Sequence, residues 1–232
     1  MKTLVALGDS WTYGSELQNI EDAWPYRLAG RIGCSQVVNL GKEASSIYHL
    51  PLQIAEFEKL GISDPVFAVG LTDEARVLMW NTRGGDWHKL TGVPELAKNP
   101  ELTNYMKEFA SEVDTFAFRE YNLGLILTWL QNYFIANNFQ YVMYKQFNNL
   151  ETRFFDQLMD KTKIHRQGVS ILADLADYIP ESNFSPHGDA WSFYDVVTNN
   201  KYFQGKIAHP NELGHEKIAE LLETLYVNSY NQ

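Results

Sequence analysis

The sequence predicts an α/β fold built on a parallel sheet with helices over both faces. Short apolar runs recur along the chain, most of them closing on a glycine-containing turn, and segments with helical apolar spacing separate them. Composition agrees: of 232 residues, 45% are hydrophobic and 21% charged, as in globular chains, and residues 1–232 read as a single domain.

The elements follow in order. Thr3 to Leu7 is a buried strand running into the turn Gly8-Asp9-Ser10. Trp24 to Ile32 has apolar positions at helical spacing, with Gly33 as its stop, and Gln36 to Leu40 is a second strand ending at Gly41. Ile47 to Leu60 is helical in period, with Pro51 at a first turn or a kink, and Pro65 to Val69 is a third strand ending at Gly70. From Leu71 to about Thr115 the pattern loosens around Gly84-Gly85, Pro94 and Pro100, so about 71–115 reads as an insertion. Phe116 to Asn137 is the longest helix candidate and Gln140 to Met143 a fourth strand. Phe154 to Arg166 is a further helix, and Val169 to Leu172 a fifth short strand. Asn183 to Gln204 reads as loop, and Asn211 caps a last helix from Glu212 to about Tyr226.

Charge and cysteine content narrow the function. With 29 acidic and 19 basic residues the net charge is -10, which opposes approach to phosphate backbones and anionic lipid, so nucleic acid is not expected as a partner. The single cysteine, Cys34, reads as a buried apolar residue; alone it forms neither an internal disulfide nor a cysteine-based zinc cluster, and it fits a reducing compartment. The apolar run at the N-terminus is too short for a signal-peptide core, and no segment has the ~18 apolar residues of a membrane span. A soluble, cytoplasmic protein is expected.

In a parallel sheet with right-handed crossovers, every β-to-α loop lies at one edge, where ligands bind. Gly8-Asp9-Ser10, Gly41 and Gly70-Leu71-Thr72-Asp73 all occupy such loops. Ser10, directly after the first strand, presents a hydroxyl at that edge. In His209-Pro210-Asn211, the proline fixes the chain direction and Asn211 starts the last helix, so His209 sits on a rigid loop. A serine hydroxyl needs a base with a pKa near neutrality, which His209 supplies.

These residues resemble the SGNH (GDSL-like) hydrolase family. Its first block, Gly-Asp-Ser, matches Gly8-Asp9-Ser10, and its fifth, a His before the C-terminal helix, matches His209-Pro210-Asn211. The second matches Asn39-Leu40-Gly41; the third, usually Gly-x-Asn-Asp, is approximated by Gly70-Leu71-Thr72-Asp73. The resemblance implies a flavodoxin-like three-layer sandwich and ester hydrolysis through an acyl-enzyme. It implies Ser10 as nucleophile, His209 as base, and an oxyanion hole from the N–H groups of Ser10 and Gly41 with Thr72 in the third position. The substrate would be a small-molecule or carbohydrate-linked acyl ester, with Asp9, Asp73, Trp80 and Trp87 as candidate contacts and Trp191 a further aromatic of the cleft. No cofactor is implied.

Two departures stand out. Thr72 offers a hydroxyl where the family uses an Asn amide, and it donates directly, donates through water, or marks weakened catalysis. The family's triad acid lies three residues before the His, where this chain has Lys206. A backbone carbonyl, Asp189 or Asp195 is left to orient His209, with Lys206 turned to solvent. His187, Asp189, His209 and His215 lack the spacing of a metal site, so none is expected. His215 is read as donating from the last helix to a neighbouring loop. Two rival readings remain. One is an SGNH-fold recognition or structural protein with impaired catalysis, since the short loops and Thr72 also resemble bacteriophage-encoded members. The other is a flavodoxin-like cofactor-binding protein using the hydroxyl-rich loop Ser10 to Ser15.

Overall fold

All five residues of the first strand, β1 (Thr3–Leu7), are buried, so both of its faces must be covered. In the structure, a computed structural model describing residues 1–72, 77–81, 86–90, 116–145, 203–204 and 209–230, they are. Strand β1 lies between β2 (Gln36–Asn39) and β3 (Pro65–Leu71), and β6 (Gln140–Lys145) flanks β3, giving a four-stranded sheet in the order β2-β1-β3-β6. Every pairing in it is parallel. Strands β4 (Val77–Asn81) and β5 (Asp86–Leu90) form an antiparallel hairpin inside the segment read as an insertion.

Alternation along the strands assigns side chains to two cores. Val5, Leu7, Phe67, Val69 and Met143 face Leu50, Ile54 and Phe57 of α3 (Leu50–Glu58) and Leu123, Leu127, Leu130 and Phe134 of α4 (Phe116–Ala136). Leu4, Ala6, Val66, Ala68 and Val142 face Trp24 and Leu28 of α2 (Trp24–Arg31) and Ile218, Leu222 and Tyr226 of α5 (Glu212–Tyr230). This is a three-layer α/β/α sandwich, and its uninterrupted apolar strands are the signature of a parallel sheet buried on both sides. Each fully buried Leu or Phe in these layers contributes roughly 1.5–3 kcal/mol.

Local chemistry sets the boundaries. The predicted helix from Ile47 divides into a 3-10 turn, Ile47–His49, and α3, with Pro51 in the first turn of α3, where its missing N–H costs nothing. Asn211 caps α5 by accepting from the Gly214 N–H at 2.9 Å. Phe203 and Gln204, expected in a loop, instead form the two-residue strand β7 (Phe203–Gln204), paired antiparallel with β8 (His209–Pro210). The helix expected at Phe154 to Arg166 and the strand at Val169 to Leu172 lie outside the described residues. Helices α2 and α5 are further joined by an ion ladder, in which Arg27 meets Asp22 and Glu216 while Arg31 meets Glu216 and Glu223.

The turn after β1 is held by one polar side chain inside the apolar layer. Gln53 of α3, fully buried, accepts from the Gly8 N–H at 2.9 Å and donates to the Gly8 carbonyl at 2.8 Å. Gly8 has φ +150°, and a Cβ there would fall 2.3 Å from Thr12 Oγ1 and 3.1 Å from the Gly70 carbonyl. Replacing Gln53 with Met removes both bonds at similar side-chain volume and leaves the buried Gly8 N–H unpaired. Urea denaturation should show a loss of about 1–3 kcal/mol. Gln53→Glu should not restore it, because a carboxylate cannot donate to the Gly8 carbonyl.

Candidate active site

The clamped turn leads directly into helix α1 (Ser10–Tyr13). Asp9 is its N-cap: fully buried, its carboxylate accepts from the Trp11 N–H at 3.0 Å, so this candidate substrate contact is turned into the protein. Ser10 is the first helical residue and is 7% exposed. Among the described residues, neither its N–H nor its hydroxyl has a hydrogen-bond partner. Gly14 closes the helix at φ +90°, and two residues later Glu16 holds φ +68°, a left-handed conformation that costs a residue with a Cβ about 1–2 kcal/mol. Behind the turn, Tyr144 packs edge-to-face on Trp24 at 5.4 Å, and burial pushes its phenol well above the ordinary range, so it is neutral.

Three loops meet at this edge of the sheet, as the topology requires. The Lys42 N–H donates to the Gly8 carbonyl at 3.1 Å, tying the loop after β2 to the turn after β1. The Thr72 hydroxyl, following β3, donates to the Ser45 carbonyl at 2.9 Å, tying the third loop to the second. A hydroxyl has one hydrogen, and in this arrangement Thr72 gives it to Ser45. The Gly41 N–H is likewise engaged, donating to Asn39 Oδ1 at 3.0 Å, while a Cβ on Gly41 would lie 2.6 Å from the Tyr13 nitrogen. Of the three donors read from sequence, only the Ser10 N–H is therefore uncommitted among the described residues. Ala44, three positions beyond Gly41, was not foreseen. It is exposed at φ +54°, and its N–H has no partner among the described residues.

His209 enters from β8, which lies against α1. Its ring is 11% exposed, and Nδ1 lies 3.0 Å from Glu16 Oε2. A carboxylate only accepts, so Nδ1 carries the hydrogen and Nε2 is left as the basic nitrogen. Nε2 makes no hydrogen bond among the described residues, including to Ser10. Nothing in the spacing of the sequence marks Glu16 as the partner; it is merely the first carboxylate after Ser10. Lys206, Asp189, Asp195, Asp73, Trp191 and His187 lie outside the described residues. Trp80 and Trp87 are opposite each other in the β4–β5 register. Among the described residues no cluster of three or more His, Cys, Asp or Glu side chains is arranged for a metal, and no helix is long and apolar enough to cross a membrane.

His215, one turn into α5, has a different role. It is fully buried, and its Nδ1 accepts from the Trp24 N–H at 3.2 Å, capping the first turn of α2 instead of donating to a loop. Its Nε2 has no partner among the described residues. Burial above all, then the charges of Arg27 and His209, lowers its pKa to about 3.

No family model matches the sequence, and no curated protein matches it. Solved structures do. A G-D-S-L family protein from Desulfitobacterium hafniense DCB-2 superposes with a TM-score of 0.53 at 12% identity, over 96% of this chain and 98% of that one. The psychrotrophic esterase EstA from Pseudoalteromonas sp. gives 0.52 at 13% identity over 99% of each chain. The acetyl xylan esterase AlAXEase gives 0.50 at 11% identity, over 96% of this chain and 98% of that one. The chain thus has the α/β fold of the SGNH (GDSL-like) hydrolases, as the sequence resemblance implied.

The neutral His215 predicts a pH dependence of stability. Its folded pKa lies below the value near 6.5 of an unfolded histidine, so the unfolded chain binds the extra proton first as pH falls. The stabilisation is complete above about pH 6.5 and is lost as pH drops towards about 3. This group alone contributes up to about 1.4 kcal/mol per pH unit. His215→Asn keeps an acceptor for Trp24 without a titrating ring. Chemical denaturation at pH 7, 6 and 5 should show a flatter profile for the variant than for the wild type.

Proposed function

We propose that the protein is a serine esterase that hydrolyses acyl esters, with Ser10 as nucleophile and His209 as general base. The observation that carries this reading is the His209 ring, held on β8 beside α1 with Nδ1 on a carboxylate and, among the described residues, no partner on Nε2, next to a helix whose first residue is a serine that among those residues is equally uncommitted. Nε2 takes the Ser10 proton as Oγ attacks the ester carbonyl. The tetrahedral intermediate expels the alcohol, which receives that proton, and water repeats the sequence to release the acid. The contact between Ser10 and Nε2 closes in the substrate complex, as such hydrogen bonds commonly do.

The Ser10 N–H is the first oxyanion donor in this reading, and the Ala44 N–H, without a partner among the described residues, is a candidate second. Gly41 and Thr72 can contribute only by giving up Asn39 and Ser45. Carbohydrate-linked short acyl esters are the substrate class we favour, because the acetyl xylan esterase shares the fold over nearly its whole length. A second reading, a binding protein on the same fold with little turnover, is favoured by the engagement of Gly41 and Thr72.

One series of measurements separates the two. A fluorophosphonate probe should label Ser10, and p-nitrophenyl acetate turnover should fall by at least about 10⁴-fold in Ser10→Ala and in His209→Ala. His215→Asn should retain most of the activity. Label on another residue, or undiminished labelling of Ser10→Ala, would overturn the assignment; a folded wild type that neither labels nor turns over would favour the binding protein.

A further inference from the structure

We infer that Glu16 is the acid that positions His209, taking the place of the carboxylate that the family supplies three residues before the histidine and that this chain lacks at Lys206. The inference rests on the serine-esterase reading and names the residue that reading leaves open.

Three observations carry it. The first is which nitrogen is engaged. Oε2 of Glu16 lies 3.0 Å from Nδ1, the ring nitrogen that must hold its hydrogen if Nε2 is to accept a proton from serine. A carboxylate on Nε2 would block the base; this one fixes the productive tautomer and faces the positive charge that develops on the ring. The second is backbone cost. Glu16 holds φ +68°, a conformation that favours glycine, and the same short segment uses a glycine, Gly14, at φ +90°. A glutamate at the strained position is explained by what its side chain reaches, in line with the tendency of strain to collect at functional sites. The third is shared placement. Ser10 opens α1, and Glu16 follows the turn that closes it, so the nucleophile and the acid are carried on one short segment. The imidazole is thereby aligned to the segment that holds its substrate proton, whereas the family's acid travels with the histidine.

The acid side chain is 26% exposed against 11% for the imidazole, so water reaches the pair from the glutamate side while the ring itself is enclosed. Glu16 touches neither substrate nor the reacting atoms in this scheme; it is a positioning residue.

The test compares Glu16→Gln, Glu16→Asp and Glu16→Gly with Ser10→Ala and His209→Ala, by p-nitrophenyl acetate kinetics, by denaturation, and by ¹⁵N NMR of histidine-labelled protein with His209→Ala identifying the ring signals. Glu16→Gln should lower kcat by about 10²–10⁴-fold with KM little changed and should shift the His209 signals away from the Nδ1–H tautomer. Glu16→Asp should recover part of the rate. Glu16→Gly, which relieves the strained backbone, should be at least as stable as wild type yet as slow as Glu16→Gln, an outcome that a purely structural role does not produce. If Ser10→Ala and His209→Ala abolish turnover while Glu16→Gln leaves kcat and the ring signals unchanged, the inference is overturned and the esterase reading stands. If Ser10→Ala retains activity, the esterase reading fails, and the ring signals in Glu16→Gln alone decide whether Glu16 sets the tautomer.

Discussion

The backbone of a single residue, Gly8, fixes the relation between the sheet and everything chemical on its edge. Its N–H and carbonyl are both taken by the Gln53 carboxamide, and the carbonyl also accepts from Lys42. The missing Cβ lets the Gly70 carbonyl and Thr12 close in from two other sides. Buried backbone groups require partners, and here helix α3 and the loop after β2 supply them at one point, with β3 and α1 packed against it. The direction in which β1 hands over to Asp9 and Ser10 therefore depends on the sheet and on the helix packed over one of its faces at once. It is set by interior packing, so the serine inherits the rigidity of the core.

Two histidines six positions apart divide the work at the start of α5. His215 is sealed in the sandwich, neutral, and spends its acceptor on the α2 backbone. His209 sits at the rim with one nitrogen anchored and the other without a partner among the described residues. The cap at Asn211 and the ion ladder from Arg27 and Arg31 to Glu216 and Glu223 hold the helix that follows His209 and contains His215. Across the cleft, the hydrogen bonds of Gly41 with Asn39 and of Thr72 with Ser45 brace the loops from within. The same bonds that give this edge a defined shape withhold two donors from a ligand.

Much of this was legible in the sequence because local chemistry dictates it. The apolar runs at Thr3 to Leu7 and Pro65 to Val69 carry no polar face to mislead, and Pro210 followed by Asn211 has few local alternatives to a capped helix start. Residues whose meaning depends on distant partners were not legible. Gln53 looks like an interruption in an apolar helix face until Gly8 is placed beside it. Glu16 and Ala44 depend on left-handed backbone geometry that non-glycine residues do not announce. The two-residue pairing of Phe203 with Pro210 is too short to leave a periodic pattern. Motif and spacing singled out Ser10 and His209 as candidates; the carboxylate beside His209 came from a contact across 193 positions.

That contact also orders events in time. Closing the loop between Glu16 and His209 spans 193 residues, against 45 between Gly8 and Gln53, a difference of about 1.3 kcal/mol in loop-closure entropy. Long-range contacts of this kind form late in folding, whereas the turn beneath the serine is assembled from near neighbours. If local contacts form first, the Ser10 turn is seated before His209 docks beside Glu16. On the proposed esterase reading, an incompletely folded molecule then has a formed serine turn without the histidine that would serve it.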